Sequence, residues 1–205
     1  MATALRNRMW SSVLGGLVLA LTACGGEPTT AFDSPATRAS GNASMALQST
    51  AFGDGEPIPR RYSDYGDGVS PALSWTPVAG AAGYALLMED PDADRPEPYV
   101  HWVAWNIPAE VASLPEGLAD VARVDQPAGM RQGVNDRGSV GYFGPRPPEG
   151  SGVHHYQLQL FALDTMLELP DDADRAALVR AMRGHVLARA RLTGTHAAPG
   201  ETIAD

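Results

Sequence analysis

The chain has 205 residues, 44% hydrophobic and 19% charged, the composition of one globular domain with a well-buried core. Its fifteen basic residues are all arginine, and twenty-four acidic residues bring the formal net charge to -9. An acidic surface with no basic run excludes a nucleic-acid backbone as partner, and a single cysteine excludes an internal disulfide.

Arg6 and Arg8 precede an apolar run from Met9 to Leu21. That run falls short of the roughly 20 residues that span a bilayer and has the form of a signal peptide over residues 1–23. It closes on Leu21-Thr22-Ala23-Cys24, which resembles a bacterial lipobox; the alternative is an ordinary signal peptide with an unrelated cysteine. Once the signal is removed, thirteen arginines face twenty-four acidic residues, a net charge of -11. Gly25, not Asp, follows the cysteine. The expectation is an envelope protein lipid-anchored at Cys24, either in the outer membrane facing the periplasm or on the outer face of the cell membrane. Residues 24–44 are rich in Gly, Ser, Thr, Pro and Ala without apolar periodicity, and read as a flexible tether. The domain then occupies 45–197, with a C-terminal tail at 198–205.

Within the domain, strands are expected at Met45–Phe52, Ala72–Trp75, Tyr84–Met88, Val100–Ile107 and Tyr156–Leu163, separated by Gly- and Pro-rich turns. A helix is expected after the cluster Asp171, Asp172 and Asp174, where carboxylates favour the N-terminus. Leu178 and Met182 mark its apolar stripe and Gly184 its end. Val186, Ala188, Ala190 and Leu192 alternate with Leu187, Arg189 and Arg191, the period of a strand. Together these predict a mainly β protein: an antiparallel β-sandwich with one or two short peripheral helices and a long irregular loop at 108–139.

Four segments carry side chains suited to chemistry. Asp90-Pro91-Asp92-Ala93-Asp94 has the start of a calcium loop, but Arg95 and His101 stand where an EF-hand needs Gly and Glu; a strand-ending turn is the plainer reading. His101 opens the apolar run HWVAWN, and strict alternation places it with Val103 and Trp105 on one face. Beside Asp90 it would hold a proton near neutrality. In Gly144-Pro145-Arg146-Pro147-Pro148 three prolines stiffen the loop and leave the N–H groups of Gly144 and Arg146 as fixed donors; a rigid connector is the alternative. In His154-His155-Tyr156, alternation puts His154 and Tyr156 on one face and turns His155 away. No zinc-ligand spacing, nucleophile elbow or phosphate-binding glycine loop occurs, so no metal, no cofactor and no catalytic residue is expected.

In this order the segments resemble the phosphatidylethanolamine-binding protein family, in its bacterial Raf-kinase-inhibitor-like branch. The resemblance runs over about residues 45 to 195, through Phe52-Gly53-Asp54-Gly55, Ser70-Pro71-Ala72-Leu73-Ser74-Trp75, Asp90-Pro91-Asp92-Ala93, His101-Trp102-Val103, Gly141-Tyr142-Phe143-Gly144-Pro145-Arg146-Pro147-Pro148, His154-His155-Tyr156 and Gly184-His185-Val186. It implies a β-sandwich with a small pocket for phosphate-type anions or phospholipid headgroups. Asp90, Tyr99, His101, Gly144, Arg146, Pro147, Pro148, His154 and Tyr156 would be its pocket residues. The sequence departs from the family pattern at Asp94, His155 and His196. The expected function is non-enzymatic anion or headgroup binding by a membrane-anchored protein. The alternatives are a protein-interaction module inhibiting a protease or kinase, and an acid–base enzyme using Asp90 with His101 or His154.

Overall fold

The computed structural model describes Met1, residues 29–41 and residues 43–200. The signal-peptide and Cys24 expectations lie outside the described residues.

Two antiparallel sheets stack face to face. β1 (Leu47–Ser49), β2 (Leu73–Trp75) and β5 (Ser113–Leu114) form one, in the order β1-β2-β5. The other has the order β6-β4-β3-β7-β8, from β3 (Gly83–Asp90), β4 (Tyr99–Pro108), β6 (Arg131–Gln132), β7 (His154–Leu163) and β8 (Val186–His196). The expected sandwich is present, and the loop at 108–139 contributes the two shortest strands.

Every residue of β3 is buried, because the large sheet is covered on both faces. Tyr84, Leu86 and Met88 point into the core between the sheets with Trp102, Ala104, Leu158 and Leu160. Ala85 and Leu87 face the other way, into a second core with Val103, Trp105, Phe161, Leu178 and Met182. α1 (Arg175–Ala181) roofs that second core. The Asp174 carboxylate caps it, accepting the Ala177 N–H at 2.8 Å. Gly184, at φ 83°, turns the chain from the helix into β8.

The other half of that roof corrects the sequence reading. Residues 29–41, expected as part of a flexible tether, lie as a strap along the outer face of the sheet. Ala31 and Thr37 are fully buried. The strap is held by polar bonds: Ala31 N–H donates to Glu89 at 2.7 Å, Phe32 N–H to the Gln159 amide oxygen, and Ser40 N–H to the Val186 carbonyl at 2.9 Å. Arg189 donates to the Phe32 carbonyl, and the guanidinium groups of Arg189 and Arg191 lie over the Phe32 ring at 4.3 and 4.9 Å. The strap starts at the Glu89 end of the sheet and leaves at the Val186 end. At the other terminus, Ala198, assigned to the tail, is also buried, and residues 201–205 lie outside the described residues.

Candidate anion-binding pocket

The topology brings the four marked segments together. β3 runs antiparallel to both β4 and β7, so its last residue, Asp90, pairs with Tyr99 at the start of β4, and Glu89 pairs with Gln157 near the start of β7. The loop 143–151 crosses this end of the sheet. The result is a cavity of about 430 Å³ lined by Asp90, Asp92, Ala93, Asp94, Tyr99, His101, Phe143, Arg146, Pro147, Pro148, Ser151 and His154.

A β-bulge aims His101. Met88 pairs with Trp102 but Glu89 pairs with Val100, so His101 is the extra residue in β4. Strict alternation would group His101 with Val103 and Trp105, which face the second core. The bulge turns it to the opposite side instead. There its ring lies parallel to Phe143, with centroids 5.1 Å apart and planes 2° apart, and meets Tyr156 edge-on at 5.1 Å.

Its partner also differs from the expected one. His101 Nδ1 lies 2.8 Å from the Phe143 carbonyl, to which it must donate, since a carbonyl only accepts. Burial pushes its pKa down to about 4, against smaller opposing effects from the Phe143 carbonyl and Asp136. His101 is therefore neutral at physiological pH, and Asp90 does not hold it charged.

Asp90 instead pairs with His154. Its Oδ2 accepts from His154 Nδ1 at 2.8 Å and its Oδ1 accepts the Asp92 N–H at 2.9 Å. Burial raises the Asp90 pKa, while the His154 hydrogen bond and charge pull it back. His155 is exposed, as alternation predicts, and both its N–H and its Nδ1 engage Asp92.

Two expected residues stand behind the cavity rather than in its wall. Tyr156 is fully buried, and its hydroxyl has no hydrogen bond of full geometry, although Asp90 and the Arg146 N–H act on it. Burial drives the phenol pKa upward, so the hydroxyl stays a donor. Gly144 sits against the chain of residues 62–64. A Cβ there would fall 2.6 Å from the Tyr62 carbonyl oxygen and 2.7 Å from Asp64 N. Both neighbours are backbone and cannot rotate away. Gly144→Ala is expected to cost about 2 kcal/mol in urea unfolding and to displace the loop, weakening any ligand in the cavity; unchanged stability would show that this contact is loose.

The Arg146 side chain does not turn inward. It pairs with Asp64 and lies over the Tyr65 ring at 5.7 Å. Two other arginines stand against aromatic wall residues: Arg137 lies 4.7 Å from the Phe143 centroid and Arg95 5.5 Å from that of Tyr99. Phe143 is a wall residue that was not singled out as one, although it lies within the GYFGPRPP run. A hydrophobic residue between Tyr142 and Gly144 carries no chemical label until the fold stacks it on a histidine.

A β-sandwich with its pocket at the meeting point of a strand-ending Asp, a bulged His and a proline-stiffened loop defines a class of protein. The sequence profile of the phosphatidylethanolamine-binding protein family matches residues 48–197, and the chain belongs to that family. It is 45% identical over 153 residues to a UPF0098 protein of Methanothermobacter thermautotrophicus, covering 74% of this chain and 98% of that one. It is 36% identical over 190 residues to LppC of Mycobacterium tuberculosis, named as a lipoprotein, covering 87% of this chain and 90% of that one. Among solved structures it is similar to the phosphatidylethanolamine-binding protein homolog CT736 of Chlamydia trachomatis, with a TM-score of 0.66 and 35% identity over 75% of this chain and 97% of that chain. It is also similar to Escherichia coli YbcL, with a TM-score of 0.69 and 30% identity over 75% of this chain and 98% of that chain.

Proposed function

We propose that this protein is an envelope lipoprotein that binds small phosphate-type anions or phosphorylated headgroups in the pocket at the end of β3, without catalysing a reaction on them. The carrying observation is the convergence of Asp90, His101 and His154 on one cavity, with the protonated Tyr156 hydroxyl buried beside it. Both oxygens of Asp90 are engaged, by His154 Nδ1 and the Asp92 N–H. That favours a positioning role for the carboxylate over a proton-shuttling one.

The strap supports membrane anchoring close to the pocket. Thr29 accepts from Arg175 at 3.0 Å, beside Glu89 and so one residue from Asp90. Cys24 is five residues earlier, a reach of at most about 18 Å. A lipid there would hold the pocket end near the bilayer surface. The similarity to LppC, a protein named as a lipoprotein, agrees with this reading.

Calorimetric titration of inorganic phosphate into the membrane-extracted chain tests the binding. Wild type is expected to give saturable heat, and His154→Ala to bind at least about tenfold more weakly, the loss of one hydrogen bond to a charged group. The absence of saturable heat at millimolar phosphate would remove the anion reading. The intact mass of the same material reads the lipid on Cys24 directly.

A further inference from the structure

One side of the sandwich is not closed. β8 is an edge of the large sheet and β1 an edge of the small one. A groove of about 740 Å³ runs between them, larger than the pocket at the end of β3 and sharing none of its lining residues. Part of the β8 edge is already covered. Thr193 accepts from the Gly55 N–H at 2.7 Å and donates to the Asp54 carboxylate at 2.8 Å, while Thr195 accepts from Ile58 and donates to Glu56. At the other end the Val186 carbonyl accepts the Ser40 N–H at 2.9 Å. The register of β8 on β7 is regular from Ala188 to His196, so Arg189 and Arg191 turn their backbone outward as Thr193 and Thr195 do. Among the described residues, their N–H and C=O groups have no partner.

The edge is thus plugged at Val186 and at Thr193 and open between, over about 23 Å of strand. A second sheet cannot dock here, because a strand continuing past either end would meet Ser40 or the chain at 53–58. A short extended segment fits. Its chemistry follows from the two faces of the edge. Ala190 and Leu192 face the core between the sheets, and on that side Met45, Leu47 and Phe52 line the groove. Arg189 and Arg191 stand on the other face, beside Phe32. The Arg191 guanidinium is exposed, and its polar contacts to Gln157 and Asp33 are 3.3 and 3.6 Å long, well beyond the roughly 2.8 Å of a charge-assisted hydrogen bond. A strand laid on this edge sets alternate side chains against arginine and against apolar surface.

The geometry points to the β8 edge as a docking site for an extended segment of a partner protein, about six residues long at 3.4 Å each, in which acidic and apolar side chains alternate. Backbone hydrogen bonds to Arg189 and Arg191 would hold it in register, and its carboxylates would meet the two guanidinium groups.

The capped peptide acetyl-Glu-Val-Glu-Val-Glu-Val-amide and its counterpart with lysine for glutamate test this on the whole chain. The acidic peptide is expected to bind saturably and at least about tenfold more tightly than the basic one, since two opposite-charge cross-strand pairs replace two like-charge ones. Its binding should slow hydrogen exchange at the Arg189 and Arg191 amides and leave Ala190 and Leu192, which face β7, unchanged. Arg191→Glu, at an exposed position, should bring the two affinities together. Equal affinities for the wild-type chain, no saturable binding of either peptide at millimolar concentration, protection that appears elsewhere, or a preference unmoved by Arg191→Glu would overturn the proposal. So would a wild-type dimer that protects the Arg189 and Arg191 amides, which would put a second copy on the edge. Self-association of an Arg191→Ala chain when the wild type binds no peptide would make the arginines guards of a bare edge instead.

Discussion

An Arg175→Ala chain is expected to lose about 3 kcal/mol of stability in urea and to become cleavable within residues 29–41 under native conditions. Glu89 is completely buried, and its carboxylate accepts from Arg175, from the Gln159 amide at 2.6 Å and from the Ala31 N–H at 2.7 Å. Removing the guanidinium strands a buried carboxylate, a change that costs about 3–5 kcal/mol where no water reaches. Arg175 retains 22% side-chain exposure, so solvent relieves part of that cost and the lower figure applies. The same substitution removes the bond to the Thr29 carbonyl, which pins the first turn of the strap. A Glu89→Met/Arg175→Met double variant should be far less damaged, because replacing both partners with apolar groups leaves no uncompensated charge. An Arg175→Ala chain within about 1 kcal/mol of wild type would mean that Glu89 does not need its cation.

The strap also shows where sequence reading stopped. Its Gly, Ser, Thr, Pro and Ala composition is that of a tether, and it contributes only Ala31, Phe32 and Ala39 to apolar packing. What holds it is backbone hydrogen bonding to Glu89 and Gln159. The clue therefore lay in the strands that receive it: an acid closing the apolar run ALLM, and a glutamine in the middle of YQLQLFAL. Alternation separates Gln157 and Gln159 from Leu158 and Leu160, but does not tell whether the polar face meets water or more protein. Gln159 is fully buried.

Strands were legible because each buries a face with period two, and α1 because its cap, stripe and terminal glycine agree. The candidate site was legible as a set of segments and less so as a geometry. His154 facing the cavity and His155 facing away follow from alternation alone, since β7 has a regular register there. His101 does not, because one extra residue in β4 reverses its side and no local sequence feature announces a bulge. That single shift exchanges its expected partner, Asp90, for the Phe143 carbonyl, and changes it from a charged group to a neutral one.

The neutral state of His101 has a consequence for acid stability. A histidine has a pKa near 6.5 in the unfolded chain, and burial holds His101 at about 4 in the folded one. Between those values the unfolded chain takes up a proton that the native pocket refuses, so stability falls as pH drops from about 6.5 to about 4 and levels off below that. The difference of about 2.5 pH units corresponds to roughly 3 kcal/mol at 1.36 kcal/mol per unit. Asp90 and Asp120 act in the opposite sense. Burial raises both, so acidification relieves their cost and offsets part of the loss. The His101 share is isolated by comparison with His101→Gln, whose amide can still donate to Phe143 but does not titrate. Wild type should lose about 3 kcal/mol more than the variant between pH 7 and pH 4 in urea unfolding. Parallel pH profiles for the two chains would place a proton on His101 in the folded state below about pH 6.5 and overturn the neutral, buried imidazole.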